Sequence, residues 1–386
     1  MKKIFLLFII FYFSKKIFRL PKKVDILIYD NFDNEIYLNL FSKHKIGQLD
    51  IRFKEINIII FFRCIFKNGF KNIIFNYSID YIRYSQPKIV ITLVDTHINF
   101  YKFKNFISGV KFISVQHAYR SISHPDLFQD IMLNNINNLK CDYLFCFGQK
   151  VAEFYRKFIK CESIVIGSLR NNAYINLYKK KLSKKKTIGF ISQYRSANYE
   201  RGHNYISGTK RSEFYKSEYK ILPLLSNFCK VNNYDLCIIG CSIQGSDNEF
   251  QFYKSILKNN DFFFLKTKGY KDSYYNSEFC DIIVFIDSTL GYEMLGRGKK
   301  SICIHSRPSF YKVENKFGWP SNCSNRGFFW TNNNCENEVM RIINNVNNCD
   351  FNKWQKQIQF IRKEIMFFDK NNTILKRKIN TILQVK

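Results

Sequence analysis

Downstream of Pro21 the chain alternates short, mostly apolar runs with longer stretches of helical spacing. In the first half the runs are Val24–Tyr29, Ile56–Ile60, Lys88–Thr92, Lys111–Val115, Tyr143–Cys146 and Ser163–Ile166. In the second they are Thr187–Ile191, Leu236–Ile239, Phe262–Leu265, Asp281–Ile286 and Ser301–Ile304. Each is continuously apolar instead of strictly alternating, the pattern of strands buried on both faces. Strands separated by helices predict parallel sheets with crossover connections. The polar, lysine-rich stretch Tyr178–Lys186 reads as a solvated linker between the two series. The chain therefore reads as α/β, with two Rossmann-like, doubly wound domains facing a cleft. They span residues 21–180 and 187–386, and the helical stretch from about Glu336 is expected to cross back onto the first. No tandem repeat is visible.

The first 20 residues require a separate reading. Lysines flank an apolar run, Ile4–Phe13, with no small-residue cleavage site after it. The run is shorter than the roughly 20 residues a spanning helix needs. Two readings remain: a segment lying in the membrane interface, or a buried helix packed on the first domain.

Composition sharpens this picture in three places. A length of 386 residues suits two domains better than one. With 61 Lys+Arg against 31 Asp+Glu, the net charge of +30 points to an anionic partner. The chain is equally rich in Asn, Ile, Phe and Tyr, whose codons are AT-rich like those of Lys, so compositional drift explains part of the excess. No helix-turn-helix, zinc-finger or RNA-binding signature supports nucleic acid as the partner. Most of the 12 cysteines sit in apolar runs, as reduced, buried cysteines of a cytosolic protein do. Cys237 and Cys241 lack a second pair at zinc spacing, and no Asp-x-Asp pair offers a metal site.

Open parallel sheets bind ligands at the carboxyl ends of their strands, so the residues just after each run are the candidates. The richest segment is DIIVFIDSTLGYEMLGRGKK. Ser288 or Thr289 would cap a helix there, and its free N–H groups would face the cleft as a phosphate site. Glu293, one turn in, would meet a ribose or sugar hydroxyl. Plain capping is the competing reading. After Lys111–Val115 come Gln116, His117 and Arg120, with His117 a candidate base or sugar contact. Asp95 follows Lys88–Thr92 and is a second candidate base; Asp30, after the first run, is a third. Ser192, Gln193 and Arg195 would offer donors to a phosphate or sugar. The aromatic stretches Lys316–Pro320 and Gly327–Trp330 would either stack on a base or pack among themselves. P-loop, nucleophile-elbow and dinucleotide fingerprints are absent.

Together PKIVITLVD, KFISVQHAYR, DYLFCFGQKVAEFY, IVIGSLRNN, FISQYR, DSTLGYEMLGRGKK and FGWP with GFFW resemble, in order from about Val24 to Trp330, a bacterial family of surface-carbohydrate and lipopolysaccharide biosynthesis transferases. The resemblance implies a GT-B glycosyltransferase, with the acceptor against the N-terminal domain and a nucleotide-sugar donor in the C-terminal one. It carries donor contacts onto Ser192, Gln193, Ser288, Thr289, Gly291, Glu293 and Arg297, and cleft roles onto Asp95, Gln116, His117 and Arg120. Where relatives usually read Gln-Asn-Gly, this chain has Gln116-His117-Ala118. The His-Pro pair of several CMP-sugar transferases is missing near Phe264–Thr267, leaving the nucleotide open.

The expected activity is sugar transfer to a lipid-linked or oligosaccharide acceptor. It needs no cofactor beyond the nucleotide sugar as co-substrate, and no metal. The expected place is the cytoplasm, peripheral on the inner face of the membrane. Rival readings are a nucleotide-sugar 2-epimerase or polyol-phosphate transferase on the same fold, and a non-catalytic polysaccharide-assembly or anionic-polymer-binding protein.

Overall fold

The computed structural model describes residues 11–30, 34–120, 136–175, 184–195, 205–206, 209–241, 246–258, 261–307 and 316–384. Most of the run Ile4–Phe13 and most of the stretch Tyr178–Lys186 lie outside the described residues.

Two six-stranded sheets carry the fold. The first consists of β1 (Ile26–Tyr29), β2 (Ile46–Leu49), β3 (Ile89–Thr92), β4 (Lys111–Val115), β5 (Leu139–Cys146) and β6 (Ile159–Val165), ordered β2-β1-β3-β4-β5-β6. The second consists of β7 (Thr187–Ile191), β8 (Asp235–Ile239), β9 (Phe263–Leu265), β10 (Ile282–Phe285), β11 (Ser301–Ile304) and β12 (Trp330–Thr331), ordered β9-β8-β7-β10-β11-β12. All pairs in both sheets are parallel. Leu27 faces Val90 across β1 and β3, and Phe190 faces Ile238 and Val284 across the centre of the second sheet. Every residue of β1, β3, β7, β10 and β11 is buried, which is why their runs are continuously apolar.

One expected strand is absent. Ile56–Ile60 divides into a short edge, Glu55–Asn57, paired with Lys15–Ile17, and the start of helix α1 (Ile58–Asn68). Asn57 makes the break, because its side chain accepts the Ile60 N–H at 3.2 Å and caps the helix. A short unbroken apolar run does not distinguish strand from buried helix. The second strand is instead Ile46–Leu49, an edge of which only Leu49 is buried.

Four further helices position the site and its surroundings: α2 (Ile73–Ser85), α3 (Leu169–Ala173), α4 (Tyr270–Phe279) and α5 (Thr289–Arg297). The last helix, α6 (Thr373–Gln384), places Leu375, Ile379 and Leu383 in one core with Ile26, Ile28, Ile89 and Ile91 of the first sheet. On its way there the chain passes tightly over the first half. The Phe367 N–H donates to the Phe147 carbonyl at 2.7 Å. Gly167, at φ +73°, lies so close that a Cβ would collide with the Phe367 backbone.

Candidate functional site

Strand order reverses between β1 and β3 in the first sheet and between β7 and β10 in the second. Crevices of parallel sheets open at such switch points, outside the carboxyl ends of the strands. The residues leaving these strands begin at Asp30, Leu93, Ser192 and Ile286.

At the first switch point Asp30 is buried in the left-handed region, φ +75°. Its carboxylate accepts Arg52 Nε at 2.9 Å and Nη2 at 3.0 Å, and lies 3.0 Å from His97 Nε2. Burial raises its pKa, but the bonds from His97 and Arg52 outweigh burial and hold it below the usual carboxylate value. Asp30 is therefore ionised, with His97 one-third exposed above it.

Asp95 has a different place from the one expected. It is fully buried. Oδ1 accepts the His117 N–H at 3.0 Å and Arg120 Nη2 at 2.9 Å, and Oδ2 accepts the Tyr155 hydroxyl. A carboxylate sealed among these donors anchors the loop after β4. Gln116 is an anchor too: its Oε1 accepts the Phe147 N–H at 2.8 Å and its Nε2 donates to the Ala118 carbonyl.

His117 lies where the two halves meet. Burial first, then the charge of Arg170, with further pushes from Arg120 and Arg52 against the pull of Asp95, bring its pKa down to about 3. The imidazole is thus neutral at pH 7 and surrounded by arginines. Arg170 in turn sits 4.0 Å over the ring of Tyr270, the first residue of α4 in the second half. Arg170 thus carries positive charge from beside His117 to the edge of the second half.

At the second switch point Gln193 Oε1 is 3.4 Å from Nη2 of Arg307, a buried guanidinium paired with buried Glu218 at 2.5 and 2.9 Å. Arg307 Nε also lies 3.5 Å from Asp287 Oδ1. Ser192 is buried, with its hydroxyl bonded to Glu249 and Tyr253. Arg195 is exposed, and its N–H donates to the Tyr215 hydroxyl at 2.7 Å.

The residues of α5 are largely taken up by the junction of the halves. Thr289 Oγ1 accepts the Tyr119 N–H at 3.0 Å, and Tyr119 stacks on Tyr292 at 3.8 Å. Glu293 is buried, its carboxylate bonded to the hydroxyls of Ser168 and, at 2.8 Å, Tyr274. Burial pushes its pKa up, with both hydroxyls acting against the rise. Arg297, at the far end of the helix, holds Asn171 at 2.6 and 2.8 Å and Glu278 at 2.9 Å. Gly291 is required by packing: a Cβ there would land in the Phe285 ring. Ser288, at the N-cap position, has no side-chain capping bond. The aromatic loop packs on itself, with Phe317 stacked on Trp330 at 5.0 Å and Tyr292 at 5.5 Å.

The structure thus gathers His117, Arg120 and Asp95 in one network and separates Arg297 from them along α5. Sequence reasoning missed His97, Arg52, Arg170 and Arg307. The position of His97, five residues beyond β3, was the available signal.

A family model described as "putative O-antigen biosynthesis protein" matches residues 113–382. No curated protein matches the sequence. Among solved structures, the chain is similar to the wall teichoic acid polymerase TagF, with 12% identity over 93% of this chain and 89% of that one, and a TM-score of 0.53. A TagF variant soaked with CDPG gives 12% identity over 93% and 88%, and a TM-score of 0.51. A Listeria monocytogenes protein described as "putative UDP-N-acetylglucosamine 2-epimerase" gives 10% identity over 94% and 98%, and a TM-score of 0.56. Likenesses at these identities establish the fold, two Rossmann-like domains facing a cleft in the GT-B manner. With its motifs in order and the family model spanning more than half of its length, the chain belongs to the O-antigen biosynthesis protein family, whose business is bacterial surface carbohydrate.

Proposed function

We propose that this protein transfers a sugar from a nucleotide-activated donor to a lipid-linked or growing polysaccharide acceptor at the inner face of the membrane. The carrying observation is the set of arginines, Arg52, Arg120 and Arg170, around a neutral His117, with Arg170 reaching Tyr270 of the second half. Such a set suits the phosphates of a nucleotide sugar, and charge developing on them as the glycosidic bond breaks is stabilised by fixed cations. Ser288, at the open end of α5, and Gln193, beside Arg307, are the donor-side contacts in this reading.

The acceptor hydroxyl attacks the anomeric carbon, the bond from that carbon to the phosphate oxygen breaks, and the nucleotide leaves. The hydroxyl proton goes to His97. With Nε2 on Asp30, the ring presents Nδ1 as the accepting nitrogen, and ionised Asp30 stabilises the imidazolium that forms. Closing the cleft excludes water and aligns the reacting atoms.

Thermal shift followed by calorimetry against UDP-, GDP-, CMP- and CDP-sugars identifies the donor. Incubating that donor with a lipid-linked saccharide extract should then release nucleotide only when acceptor is present. Conversion to an isomeric nucleotide sugar without release favours an epimerase, and a folded protein that binds no nucleotide ends the enzymatic reading.

A further inference from the structure

No helix among the described residues is long and apolar enough to cross a membrane, yet one face of the first half is both greasy and basic. On α1, Ile59, Phe62 and Phe66 are exposed, Phe66 by 87%. Their spacing, three and then four residues, puts them on one side of the helix. Arg63 and Lys67 fall on the same arc, while Ile60, Phe61 and Cys64 face the core. The segment before α1 continues the surface. Phe13 and Phe18 are exposed by 79% and 71%. Phe11 reaches Phe62 at 6.1 Å between ring centroids, with Lys16 over it at 5.4 Å, and Asn57 Nδ2 donates to the Arg19 carbonyl at 2.6 Å.

Apolar groups this exposed need an explanation in a monomer, and the charge chooses the occupant. Neither residues 11–20 nor α1 contains a single Asp or Glu. A protein partner would ordinarily be met by both signs of charge. The neighbouring Glu55 is taken up by Lys15 at 3.0 Å, and the predominantly basic, aromatic face that remains matches an anionic bilayer, where rings enter the acyl boundary and Lys and Arg meet lipid phosphates. A pocket of about 420 Å³ lined by Lys22, Lys23 and Lys45 adjoins this surface through α2. The same helix lends Ser85 to the pocket and Tyr84 to a cation–π contact with Arg63 at 5.2 Å.

We infer that the exposed face of α1, with Phe13 and Phe18, is a docking surface for anionic lipid that brings the first domain to its acceptor. This extends the reading of a lipid-linked acceptor. Its test measures membrane binding alone, so its failure leaves sugar transfer standing. The full chain is spun with vesicles of phosphatidylcholine alone and of equal parts phosphatidylcholine and phosphatidylglycerol. The parent should sediment with the mixed vesicles and be partly released by high salt. Phe62→Asp and Phe66→Asp, at exposed positions, should each weaken binding about tenfold. Arg63→Glu with Lys67→Glu should weaken it on mixed vesicles and leave the phosphatidylcholine result unchanged. Binding of the Phe66→Asp variant at the parent's strength, or no sedimentation of the parent with either vesicle, overturns the inference. So does a parent dimer in gel filtration that Phe66→Asp dissolves while vesicle binding persists, because the face is then a contact between copies.

Discussion

The loops leaving β10 and β1 use their polar side chains in opposite ways. After β10, the segment Ser288–Arg297 has the strongest sequence signature in the chain, yet its groups mostly join the halves. Thr289 holds Tyr119, Glu293 holds Ser168, and Arg297 holds Asn171. After β1, Asp30 has no motif around it, yet it organises a guanidinium and an imidazole that remain partly exposed. A helix-start signature marks where a chain must be held; proton chemistry needs charge that a substrate can still reach.

The sharpest way to break this contrast is at His97. His97→Asn should lower turnover about 10²- to 10⁴-fold, the range for removing a general base, with nucleotide affinity and thermal midpoint near the parent's. Asp30→Asn should lower turnover in the same way and cost stability as well, because Arg52 loses its partner. Parental turnover in His97→Asn would move the base elsewhere.

Next in size is Arg170→Ala. Losing a charged hydrogen-bond donor to phosphate costs on the order of 1.5–3 kcal/mol, about ten- to a hundredfold in affinity. Calorimetry with the identified nucleotide measures it. The same variant should let the His117 pKa rise from about 3, readable by NMR titration of the ring. An unmoved pKa would mean that burial and the remaining charges, Arg120, Arg52 and Asp95, set it without Arg170.

Glu293 and Gly291 test the other side of the comparison. Glu293→Ala removes a buried link between the halves and should destabilise by about 1–3 kcal/mol. Gly291→Ala puts a methyl into the Phe285 ring and should cost a similar amount, about 1–3 kcal/mol. In both, nucleotide affinity of the folded fraction should stay near the parent's, measured by calorimetry beside denaturant melts. If Glu293→Ala keeps its stability and loses nucleotide affinity, Glu293 meets the donor itself instead of only joining the halves.

Burial decided how much of this was legible in the sequence. Fully buried strands such as Thr187–Ile191 and Ser301–Ile304 announce themselves as apolar runs. The edge Ile46–Leu49, mostly half-exposed, does not, and the run through Ile58 hides a helix start that only the cap at Asn57 reveals. Positions after strands were readable because sheet geometry fixes them. Their partners were not. His97 meets Asp30 across 67 residues, and Arg307 meets Glu218 across 89. Such pairings come from strand order, which local pattern does not contain.

The smallest expected effect sharpens the picture of the arginines around His117. In the unfolded chain the His117 imidazole titrates near 6.5; in the folded protein its pKa is about 3. Between those values the unfolded chain takes up a proton and the folded one does not, so stability falls as pH falls through this window. The full difference is attenuated by solvent at the cleft, and one unit below pH 6.5 corresponds to on the order of 1 kcal/mol at most. Glu218 and Glu293, both pushed up by burial, bend the parent's curve the other way. The quantity to measure is therefore parent minus His117→Gln, by urea melts from pH 7 to 4.5, above the range where Asp30 takes up its proton. The difference should shrink toward low pH as the parent loses its advantage over the variant. Bound nucleotide should flatten the slope, because phosphate beside the ring offsets Arg170 and raises the pKa. A slope that nucleotide leaves unchanged would place the phosphates away from His117, toward Arg307 and the second switch point.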